Sequence, residues 1–252
     1  MENLYEKDTW INPNIFYKFN TEIIEYDIKS AGMNIARAYN LISEKEYNKL
    51  KSMDKSKRNK ELGLKQRDDY NFTSNLKKAF ADTRKAFFED NNLTEDDIIS
   101  IKKDAIFVTK VCDNCIFKDY IEFREKNRYT SYIHLNRNIE LYYNKDYLDV
   151  KGIGDKAILY HKDYMLSIIN KFFNKMEVKD ETDVIDYMRR FIDKYKRKEL
   201  DVGYYRRFDG KSDFDVNLPD DIYIFNPEIH KDYIDISYNL QNVLIKLIKI
   251  PL

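Results

Sequence analysis

Across 252 residues, Lys plus Arg and Asp plus Glu are equal at 44 each, which excludes a global basic field, so any polyanion must be held by a local patch. Six Gly and four Pro are few for that length and exclude long flexible linkers or low-complexity tails. The polar run from Met1 to Trp10 is not signal-like and no apolar run nears the ~20 residues that span a bilayer, so the expectation is a cytoplasmic chain without a membrane partner.

Trp10 to Phe19 reads as an irregular aromatic lead-in that turns at Asn12-Pro13-Asn14. Glu22 to Ile28 is strand-like and ends in an acid, Asp27, just before a helix capped by Ser30 and running through Ile42. Met33, Ile35, Ala36, Ala38, Tyr39 and Ile42 form its apolar face, and Gly32 leaves an open surface beside Asp27. Ser43 and Glu46 make a capping-box pattern for a second helix, with Tyr47 and Leu50 inward. The densest basic stretch follows, from Lys49 to Arg67, and has two readings: a solvated helix face or a grip on phosphates. Thr73 is the expected cap of a long helix to about Asn91, with Leu76, Ala79, Phe80, Thr83, Ala86 and Phe87 at helical spacing.

From Asp97 to Thr109, two apolar runs flank a charged tip, the pattern of a tight β-hairpin with Asp104 at its bend. Cys112 and Cys115 have the spacing of half a zinc site, but there is no second Cys pair and His134, His161 and His230 are scattered, so they read as a turn carrying two thiols. Residues 116–123, 128–135, 139–143 and 147–150 are expected strands. Helical runs are expected over 159–176, 182–198 with Thr182 as cap, and 234–250, with 200–227 irregular. The 21 Tyr and 15 Phe supply core area, with some Tyr available for stacking on bases. If the strands ending at Asp27 and Asp104 are neighbours, the two carboxylates converge at one sheet edge and suit a hard cation such as Mg²⁺. The plain alternative is that each Asp marks a turn.

In order, these stretches resemble the core of family B DNA polymerases. Asp27-Ile28-Lys29-Ser30-Ala31-Gly32 is similar to that family's first palm motif, an Asp followed by Ser-Leu-Tyr-Pro. Lys55 to Gly63 resembles its fingers motif of Lys, three residues, Asn, two residues, Tyr-Gly, with Leu62 in place of Tyr. Lys102-Lys103-Asp104-Ala105 is similar to its Asp-Thr-Asp-Ser hairpin, keeping the second Asp and losing the first. Lys126-Asn127-Arg128-Tyr129 resembles its Lys-Lys-Arg-Tyr strand, and Lys151-Gly152 its Lys-Gly pair before the thumb.

The resemblance implies an α+β fold with an antiparallel palm sheet (1–29 and 92–151), a helical fingers insertion (30–91) and a C-terminal helical thumb (152–252). It implies template-dependent nucleotidyl transfer with Mg²⁺ or Mn²⁺ held by Asp27 and Asp104. Lys55, Arg58, Asn59 and Gly32 would bind a nucleoside triphosphate, and Arg128, Tyr129 and Lys151 a primer–template nucleic acid, with a replication partner protein as a further partner. With so short a stretch before Asp27, a proofreading exonuclease is not expected. Gly32 stands where the family carries a Tyr that excludes the ribose 2′-hydroxyl, so poor rejection of ribonucleotides is expected. Lys102 and Ala105 point to the alternative of a catalytically inactive polymerase-like protein that binds nucleic acid or serves as a replication accessory. An unrelated α/β interaction protein with a Tyr/Phe core is the third reading.

Overall fold

The structure is a computed structural model that describes residues 3–136, 139–152, 167–176, 181–197 and 199–200. The expected helix over 234–250, the irregular stretch beyond Leu200 and the start of the 159–176 run lie outside these residues. In chain order come a 3-10 turn (Leu4–Glu6), β1 (Thr9–Ile11), β2 (Tyr17–Lys18), β3 (Ile23–Ile28), α1 (Ala31–Ala38), α2 (Glu44–Lys51), α3 (Lys55–Asp68) and α4 (Tyr70–Asp90). There follow β4 (Ile98–Lys102), β5 (Ala105–Val108), β6 (Ile116–Lys118), β7 (Ile121–Tyr129), β8 (Ser131–Asn136), β9 (Ile139–Asn144) and β10 (Tyr147–Lys151). Two further helices lie among the described residues, α5 over residues 167–176 and α6 (Glu181–Arg197). The fold is α+β with antiparallel sheets, and no helix among the described residues is long and apolar enough to cross a membrane.

The chain divides into two compact units, residues 1–14 with 22–129, and residues 15–21 with 130–252. In the first, six strands pair in the order β1-β4-β5-β3-β7-β6. Ile24, Tyr26 and Ile28 recur with the period of two that strands impose, so one face of β3 enters the core and the other carries Glu25 and Asp27. The core side meets Ile35 and Ala36 of α1 and Leu76 and Phe87 of α4, with the Phe87 ring 5.5 Å from Tyr26 and 4.1 Å from Phe123. In the second unit the sheet order is β10-β9-β8-β2. There Ile133, Leu141 and Tyr143 share a core with Phe172 and Phe173 of α5 and with Val184, Met188, Phe191 and Ile192 of α6.

These units divide the chain elsewhere than the expected palm, fingers and thumb. Helices α1 and α4 share one core with the first sheet, while β8 to β10 belong to the second unit. Several local expectations also change. Ser30 sits at φ 53 and makes no side-chain cap, and α1 stops at Ala38, close to Asn40 at φ 57, a left-handed position that Asn tolerates. Asp69, not Thr73, caps α4 by accepting from the Phe72 amide at 2.9 Å, and α6 already includes Thr182. Ser43 does accept from the Glu46 amide at 3.2 Å, but the Glu46 carboxylate reaches Lys65 at 2.6 Å. The expected strand over 116–123 is broken by a turn at Asp119-Tyr120, and β7 runs unbroken through Arg124 to Asn127 because only its alternate residues, such as Ile121 and Phe123, need to be apolar.

Candidate functional site

Strands β3 and β5 are antiparallel neighbours with Asp27 opposite Ala105, so Asp104, the residue before Ala105, lies at the same end of the sheet. The β4–β5 connection is the two residues Lys103-Asp104. Lys103 has φ 59, a conformation that favours Gly, and both its backbone groups are held from outside the hairpin. Its N–H donates to the Asp8 carbonyl at 2.7 Å, and its carbonyl accepts from Arg84 Nη1 at 3.0 Å.

Asp27 and Asp104 line one cavity of about 290 Å³ with Gly32 and Ala31 of α1 and Lys55, Arg58, Asn59 and Leu62 of α3. Lys29 and Arg124 complete its basic lining. The start of α3 at the cavity is set by Asp54, whose carboxylate accepts from the Lys57 amide at 2.9 Å. Gly32 matters sterically: a Cβ there would meet Leu62 Cδ1 at 3.5 Å, an ordinary contact, so any larger side chain would project further. Burial, and next the negative charge of Asp104, raise the Asp27 carboxyl above its ordinary value, with Lys126 and Arg124 opposing and Glu25 adding to the rise.

Beneath Asp27 is an ionic network that includes Tyr129, one of the three residues expected to contact nucleic acid. Glu25, only 1% exposed, accepts from Lys126 Nζ at 2.7 Å, Asn127 Nδ2 at 2.6 Å and the Tyr129 hydroxyl at 3.1 Å. A bulge explains the convergence. Glu25 pairs with Asn127 and Tyr26 with Glu125, leaving Lys126 as the extra residue, whose Nζ also comes 4.0 Å from Asp27 Oδ2. Tyr129 is therefore not the expected nucleic-acid contact, since it is 1% exposed and its hydroxyl is on Glu25. Arg128 is on the surface, but its guanidinium is engaged by Glu125 at 2.5 and 2.7 Å and by Glu22 at 2.5 Å, so its charge is more than neutralised locally. Lys151 lies in the second unit, ion-paired with Asp149 at 2.6 Å.

The donor set suits a hard divalent cation. Among the described residues no group of three or more His, Cys, Asp or Glu could hold a metal. Two carboxylates are nevertheless what Mg²⁺ commonly takes from protein when substrate phosphates and water supply the rest. Burial first and the charge of Asp104 second hold Asp27 toward its protonated form, and such a cation would oppose both.

A family model, the bacteriophage PBS1 gene 130 protein, matches residues 1–252. The chain belongs to that family. No curated protein matches it.

The two thiols are outside the cavity chemistry of this family member. Burial pushes Cys112 up to about 12 and raises Cys115 as well, so both stay protonated and are poor nucleophiles at neutral pH. Cys112 instead serves the fold, its amide donating to the Tyr26 hydroxyl at 2.9 Å and seating the residue before Asp27. Sequence reasoning missed Glu25, Arg84, Arg124 and the true role of Lys126. The available signals were a Glu inside an otherwise apolar strand, and an Arg within the buried stripe of α4 between Phe80 and Phe87.

Proposed function

We propose that this protein is a template-dependent nucleotidyltransferase resembling a minimal family B DNA polymerase, with the first sheet as palm and α2 and α3 as a short fingers insertion. One observation carries the reading: three stretches far apart in sequence, at Asp27 and Gly32, at Lys55, Arg58 and Asn59, and at Asp104, line a single cavity. Asp27 and Asp104 would hold Mg²⁺ or Mn²⁺, which when bound neutralises phosphate charge and lowers the pKa of an attacking hydroxyl. Lys55 and Arg58, with Lys29 and Arg124, give a triphosphate a wall of charge-assisted donors. Asn59 offers an amide to the same group, and Gly32, which carries no side chain, lines the cavity beside Leu62. Partners under this reading are a nucleoside triphosphate and a primer–template nucleic acid, joined by a replication partner protein.

Primer extension with Mg²⁺ or Mn²⁺ tests the proposal. Asp27→Asn and Asp104→Asn should each lower incorporation on the order of 10²-fold or more, the scale of several kcal/mol of transition-state stabilisation. Wild-type rates in both variants would defeat it. A second reading, an inactive relative that only binds nucleic acid, is favoured by Lys126 at 4.0 Å from Asp27, a fixed cation where a metal would sit nearby. Metal-independent binding without incorporation selects that reading.

A further inference from the structure

Asp104 occupies a turn that does not hold itself. A two-residue hairpin turn with positive φ at its first position is built for Gly, and Lys103 at φ 59 is strained there. The tip must be fixed from elsewhere, and one side chain is arranged to do it. Arg84 of α4 is 2% exposed, and its planar fork reaches three acceptors: the Tyr5 carbonyl from Nε at 2.7 Å, the Lys103 carbonyl from Nη1 at 3.0 Å and Asp8 Oδ1 from Nη2 at 3.3 Å. Asp8 in turn receives the Lys103 amide on its carbonyl. Burying a guanidinium is costly, and an apolar residue would pack this face of α4 at lower cost. Asp8 supplies the opposing charge, and one of the two carbonyls the fork holds is at the hairpin tip.

We propose that Arg84 is the positioning residue for Asp104, clamping the Lys103 carbonyl so that the Asp104 carboxylate is aimed into the cavity it shares with Asp27. This assignment rests on the reading of the two aspartates as a cation site. Lysine cannot replace it, because a single ammonium lacks the rigid fork that meets three separate acceptors.

The test is Mn²⁺ binding to the full chain, followed by electron paramagnetic resonance, with thermal stability measured in parallel in the absence of metal. Wild type binds Mn²⁺ and Asp27→Asn does not. Arg84→Lys weakens Mn²⁺ by about tenfold or more, the usual scale for loss of a group that orients a metal ligand. Asp69→Ala, which destabilises α4 at its far end, leaves Mn²⁺ affinity unchanged. Adding Lys103→Gly to Arg84→Lys restores affinity in part, since Gly adopts the turn without help. Should Arg84→Lys not fold, Asp8→Asn takes its place and weakens Mn²⁺ in the same direction. Unchanged affinity in Arg84→Lys, or in Asp8→Asn where that stands in, overturns the role of Arg84 alone. Absence of Mn²⁺ binding by wild type removes the cation reading and this proposal with it.

Discussion

Asp27 carries a cost that the fold accepts. Its carboxyl is raised by burial first and by Asp104 second, so the folded chain holds its proton more tightly than the unfolded chain does. Below the ordinary carboxylate range both states are protonated and Asp27 is neutral with respect to folding. As pH climbs through that range the unfolded state ionises first, and stability falls until the raised folded value is passed. Asp27→Asn should therefore melt at a higher temperature than wild type at about pH 7.5, with the gain vanishing below about pH 3.5. Paired thermal melts at the two pH values check this, and an equal gain at both would show that ionisation of Asp27 is not its source. Added Mg²⁺ should narrow the gap at the higher pH, because a bound cation favours the ionised Asp27 that the variant lacks.

Among the elements, what could be read from the sequence depended on whether local chemistry or tertiary pairing decided the outcome. The β4–β5 hairpin and β3 were legible because short runs rich in Ile, Phe and Val flank Asp104 and lead to Asp27, while the pairing of β3 with β5 that brings the two acids to one end of the sheet is a tertiary fact. Strand β7 was not, since its outward residues Glu122, Arg124 and Lys126 dilute the apolar count, and only the register against β3 reveals that Lys126 is a bulge over Glu25. Arg84 was illegible for the same reason, its partners lying 19 or more positions away. At α4 a residue-type rule picked the wrong cap. Thr73 sits one turn inside the helix with its hydroxyl on the Gln66 carbonyl, while Asp69 satisfies the exposed amide end. Asp69→Ala should thus cost about 1 kcal/mol in urea unfolding, and Thr73→Ala clearly less. The reverse order would return the cap to Thr73.

At the scale of the whole molecule, the absence of net charge means that affinity for a polyphosphate must come from where charges are put, not from how many there are. Lys29, Lys55, Arg58 and Arg124 are drawn from three separate elements or loops and meet only at the cavity. A ligand that binds there stabilises the cooperative unit containing it, by about 2.7 kcal/mol at a hundred times its Kd. A nucleoside triphosphate with Mn²⁺ should therefore raise the melting temperature of the transition that includes β3 and α3, and leave any separate transition where it was. Lys55→Ala combined with Arg58→Ala should abolish the triphosphate's share of that shift while sparing the effect of Mn²⁺ alone, because the two aspartates are untouched. Asp27→Asn should abolish both. Ribo- and deoxyribonucleoside triphosphates should shift the wild type equally, since at Gly32 there is no side chain to meet a 2′-hydroxyl. A strong preference for the deoxy form would mean that another wall of the cavity, not α1, sees the sugar.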